Sequence, residues 1–153
     1  MGVIMDNFYV ALNIMDRIND EVITKFGCPC RFSKYMNRSR AYWGTTYNRA
    51  GSFFIQNLVK WAKAVDLSVE YLLTGKNKSP YRPVAICYDD LILEYSKFAK
   101  DKLRTNSRRT PQRLRVLMHF IKNDRSRKLD LRILLDFEDL LNIPAYKLVF
   151  KEI

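Results

Sequence analysis

From Val22 to Val65 the chain carries eight lysines and arginines, Lys25, Arg31, Lys34, Arg38, Arg40, Arg49, Lys60 and Lys63, and no aspartate or glutamate. A solvated surface ordinarily mixes the two signs. Laced through the same stretch are Ser39, Tyr42, Thr45, Thr46, Tyr47 and Asn48, whose hydroxyl and amide groups can meet base edges while the cations neutralise phosphates. A second stretch, Lys97 to Arg132, holds 13 basic residues against Asp101, Asp124 and Asp130. Arg108, Arg109, Arg113 and Arg115 crowd its middle, and Arg125, Arg127 and Lys128 follow. The chemistry suited to both stretches is the gripping of a polyanion.

Other chemistry finds little support. His119, the single histidine, sits in an apolar helical run, and no glycine-rich phosphate loop or paired-carboxylate motif accompanies it. No catalytic residue, enzyme activity or cofactor is expected. Cys28, Cys30, Cys87 and His119 could be counted as four zinc ligands, but "CPC" lacks the spacing of a zinc knuckle, and buried reduced thiols account for the cysteines. The aromatics could stack single-stranded bases, yet their helical spacing assigns most of them to a core.

The elements that must carry these residues are helices. In "NLVKWAKAVDLSVEYLLTG", Leu58, Trp61, Ala62, Val65, Val69, Leu72 and Leu73 recur at steps of three and four. Ser68 starts a second helix as its cap, with Glu70 favourable at the positive end of the dipole, and Gly75 stops it. Upstream, a long helix is expected over roughly Asn7 to Lys25, then short ones near Phe32–Asn37 and after Ser39 as N-cap. The segment "GKNKSPYRP" marks a boundary, dividing the chain into 1–78 and 84–153. The second half opens with a helix near Asp89–Arg104, and "TPQRLRVLMHFIKND" reads as one longer helix begun by Thr110 and Pro111. Setting Leu67 against Ile143 lays Leu58 over Leu134, Trp61 over Phe137 and Val65 over Leu141, so the halves read as a degenerate tandem repeat.

Five short helices ending in this way resemble the lambda repressor-like helix-turn-helix domain of bacterial and phage regulators. The resemblance covers Asn7 to Gly75. Ser33, Met36, Asn37, Arg38 and Ser39 stand where that family has a small residue in its second helix, a leucine, a glycine turn, an apolar residue and a Ser or Thr cap, with Trp43 as the buried residue of the third helix. Arg38 and Gly44 depart from the pattern. The resemblance implies an all-α fold of two tandem helical domains: a DNA-binding one at 1–78 and a degenerate one at 84–153. The third helix would lie in the major groove, with Arg40, Thr45 and Asn48 reading bases and Lys34, Arg38, Ser39 and Arg49 on phosphates. In the second domain the arginines and Lys128 already named would grip DNA, unless that half has become an assembly module.

The whole chain of 153 residues has a formal charge of +11, with +5 on 1–78 and +6 on 79–153, consistent with a nucleic-acid partner. No apolar run reaches the roughly 20 residues of a membrane span, and Asp6 stands where a myristoylation signal wants Ser or Thr. A cytoplasmic, nucleoid-associated transcriptional regulator is expected, binding double-stranded DNA as a homodimer or as a monomer acting as a pseudo-dimer. The alternatives are a protein-interaction module on a repressor-like scaffold and RNA binding through the arginine-rich second half.

Overall fold

The computed structural model describes residues 7–49, 52–105 and 111–153, with the side chains of residues 8 and 102–105 excepted. Helix α1 (Asn7–Phe26) buries Ala11, Ile14, Met15, Ile18 and Val22, one face at steps of three and four. Gly27, at φ +80°, ends it, and Pro29 occupies the first turn of α2 (Pro29–Tyr35), where its missing N–H costs nothing. Asn37 adopts the left-handed conformation at φ 56°. Its N–H donates to the Lys34 carbonyl and that of Arg38 to the Ser33 carbonyl, the paired bonds of a Schellman stop.

Helix α3 (Tyr42–Asn48) begins later than the sequence suggests. Ala41 holds the cap position, with no side-chain cap, and Ser39 contributes only its main-chain carbonyl, which accepts from the Tyr42 N–H at 3.0 Å. The register is set from inside instead. Trp43 is fully buried, and its main-chain N–H donates to Ser33 Oγ at 2.9 Å.

The corner between α4 (Ile55–Val65) and α5 (Val69–Thr74) has the expected anatomy. Asp66 turns the chain at φ 56°, Ser68 Oγ accepts the Tyr71 N–H at 3.1 Å, and Gly75 ends α5 at φ 73°. A Cβ at Gly75 would also lie 2.5 Å from the end of the Arg17 side chain, displacing the guanidinium that donates to the Leu72 carbonyl. There follow β1 (Val84–Ile86), α6 (Asp89–Thr105), α7 (Gln112–Asn123), α8 (Leu131–Leu141), α9 (Ala145–Val149) and β2 (Phe150–Glu152). The strands pair antiparallel with Ile86 opposite Phe150. They are too short for alternation to announce them.

The described residues therefore form nine helices and one small strand pair, an all-α chain in substance. Helices α4 and α8 start and stop at the same 76-residue offset that aligns Leu67 with Ile143. Asp66 and Asn142 are both left-handed, and Ser68 and Pro144 both hold the N-cap position, Ser68 alone with a side-chain cap. Helix α7 closes one residue short of the counterpart of α3's end, and no separate counterpart of α2 stands among the described residues.

The halves meet at equivalent points. Phe54 pairs antiparallel with Asp130, its own counterpart. The Ile55 N–H donates to the Leu129 carbonyl at 2.8 Å and the Leu131 N–H to the Phe53 carbonyl at 2.9 Å. Exchanging counterparts turns one bond into the other, which is the geometry of a local two-fold axis. Helix α5 likewise packs on α9. Buried residues of both halves form one cluster, with α1 lying against α4, α5 and α8. Among the described residues no helix is long and apolar enough to cross a membrane.

Candidate nucleic-acid interface

Three anchors hold α3 from its inner side. The Trp43 ring meets Phe32 and Trp61 edge-on at 5.1 and 5.2 Å, and its indole N–H donates to Asn19 on α1 at 3.0 Å. Tyr42 accepts the Trp61 indole N–H at 3.0 Å. Tyr47 donates to Asp16 at 2.6 Å, and this bond holds the phenol above its usual pKa. Ser33 ties α2 to α3, since its hydroxyl accepts from Trp43 and donates to the Pro29 carbonyl. A larger side chain at this fully buried position would force the helices apart.

With the anchors pointing inward, the other side of α3 is left to solvent. Lys34, Arg38, Ser39, Arg40, Thr45, Asn48 and Arg49 are all exposed. Among the described residues, no ion pair or hydrogen bond engages the side chains of Arg40, Thr45, Asn48 or Arg49. Arg40, Thr45 and Asn48 share a shallow depression with Ala41, Gly44 and Cys30. The guanidinium of Arg38 lies 5.3 Å from the centre of the Tyr42 ring. The stretch is free of acids along the chain but not in space, because Asp16 reaches Tyr47 from α1, and Asp130 joins Thr46 and Arg49 around a second hollow.

The second-half candidates separate into groups. Arg108 and Arg109 lie outside the described residues. Arg113 is ion-paired with Asp136, a carboxylate that also accepts from Asn7, so it faces α8 and α1. Arg125 lies 3.9 Å from Asp89, and Arg115 is exposed on α7. Lys128 is the one brought toward the first half, while the Arg127 guanidinium lies over Phe120 on α7. Lys128 sits 5.8 Å from the centre of the Phe54 ring, and Phe54 borders the hollow that Arg49 also lines.

Phe54 and Phe120, each 43% exposed, escape a reading by periodicity, which assigns aromatics to the core. Both carry a cation over the ring, Lys128 on Phe54 and Arg127 on Phe120 at 4.6 Å. The nearby basic letters are the signal that could have found them. Elsewhere, Cys28 and Cys30 approach with sulfurs 2.8 Å apart, while the Cys87 main chain is bonded to Val149. Among the described residues no three potential metal ligands converge.

Comparison with family models, with curated proteins and with solved structures finds no match.

Proposed function

We propose that the protein is a sequence-specific double-stranded DNA-binding regulator of transcription, of lambda repressor-like helix-turn-helix type. One observation carries the proposal: Trp43, Tyr42 and Tyr47 anchor α3 inward, so that Arg40, Thr45, Asn48 and Arg49 stand exposed and without a side-chain partner among the described residues. An exposed row of donors without described partners, on and just flanking a short helix that follows a second helix and a left-handed turn, suits insertion into a major groove. Arg40, Thr45 and Asn48 read bases, and Lys34, Arg38, Ser39 and Arg49 hold phosphates. Lys128, beside Phe54 at the same edge, extends the grip to a further stretch of backbone, with Arg127 next to it in the chain.

Selection of bound sites from random duplex DNA tests this reading. A recovered consensus, protected in footprinting and preferred over single-stranded RNA and over an acidic protein, is the expected result. Recovery of no consensus, or stronger binding to either competitor, removes it.

A further inference from the structure

A cavity of about 750 Å³ opens where α5, the 77–84 connection, the strand pair and α9 meet. It adjoins the α5–α9 contact, beyond the C-terminal ends of α4 and α8, whereas the Phe54–Asp130 bridge lies at their N-terminal ends. Its size is that of a small-molecule site. Val69, Val84, Tyr146 and Phe150 supply an apolar wall, drawn from both halves of the chain.

The charges around this wall are unevenly engaged. Lys78 holds Glu21 at 2.5 Å, and Arg82 faces Glu152 at 3.5 Å. Ser68 and Ser79 bond to one another at 3.0 Å. That leaves Glu70, in the first turn of α5, and Lys147, on α9, which line the same cavity. Among the described residues neither side chain has an ion-pair or hydrogen-bond partner. One unpaired charge of each sign beside an apolar wall is complementary to a ligand with the opposite arrangement.

We propose that this cavity binds a small zwitterion with an apolar body, of the class of an apolar dipeptide. Its ammonium group pairs with Glu70, its carboxylate with Lys147, and its side chains cover Val69, Val84, Tyr146 and Phe150. A simple anion or cation satisfies only one of the two charges. The site needs no nucleic acid, so its failure would leave the reading of α3 untouched.

The test is calorimetric titration of the full chain with the dipeptide Val-Phe, its N-acetyl form and its C-terminal amide. Binding of one Val-Phe per chain is expected, with each cap weakening it by roughly three- to fivefold, the scale of partly exposed ion pairs. Glu70→Gln should weaken Val-Phe and leave the N-acetyl form unchanged, and Lys147→Gln should do the same with respect to the amide. Val84→Trp, which fills the cavity, should abolish binding of all three. No heat with millimolar Val-Phe, or equal affinity for free and capped dipeptides, overturns the proposal. The capped forms decide it on the unaltered protein even if Val84→Trp fails to fold.

Discussion

Trp43 gives α3 two unlike faces. Its ring, indole N–H and main-chain N–H all point into the protein, toward Phe32, Trp61, Asn19 and Ser33, and the polar residues between the anchors are left outside. Replacing Arg40 or Asn48 by alanine should therefore leave the fold intact. On the preferred DNA site each change is expected to cost about 1–3 kcal/mol and to relax sequence preference, whereas Lys34→Ala should weaken all duplexes alike. Equal losses on specific and random DNA from all three variants would mean that α3 does not read bases. The charges themselves were legible in the letters, but their pairing was not. Arg113 is taken up by Asp136, and Asp16 crosses from α1 to Tyr47, contacts between residues far apart in sequence. Cys28 yields a separate prediction. A hydrogen bond from Cys30, followed by one from the Arg31 main chain, holds its thiol below the usual value. A lowered pKa means thiolate at a pH where an ordinary thiol is still protonated, so iodoacetamide labelling of Cys28 should level off at a lower pH in the folded protein than in urea. Mass spectrometry of the labelled peptides would show this, and coincident pH profiles would contradict it.

At the scale of elements, the α4–α5 corner could be read almost residue by residue, because its stripe, serine cap and glycine stop are local features. The start of α3 could not. Its register follows from burying Trp43 against Ser33 and α1, a tertiary demand that overrides the local capping preference of Ser39. The strand pair was equally hidden, being three residues a side and joined across most of the second half. Gly44 lies in the middle of α3, and a Cβ there would meet no atom within 4 Å. The fold has no steric need for glycine at this position. Gly44→Ala should therefore raise stability by about 0.5–1 kcal/mol, visible as a higher melting temperature. The glycine also lies in the depression shared by Arg40, Thr45 and Asn48, where DNA would approach the helix backbone most closely. The same variant is thus expected to bind DNA more weakly. A stabilised protein with undiminished affinity would move the reading face away from Gly44.

Taken whole, the chain has two basic halves joined at the Phe54–Asp130 bridge, where their backbones exchange equivalent hydrogen bonds. The match of α4 with α8 at the 76-residue offset was legible in sequence, because both keep one apolar stripe. If both halves contribute to neutralising about six to ten phosphates, affinity should fall by roughly three to five orders of magnitude between 50 and 200 mM salt. A nearly flat salt dependence would rule out the DNA reading. The same junction has a consequence for synthesis. Phe54 waits for a partner encoded 76 residues later, about 4–15 s of translation at ordinary elongation rates. During that interval the side of α1 that α8 will cover has no lid. The nascent first half thus emerges with apolar surface open to chaperones, and its burial is completed only after α8 has been made.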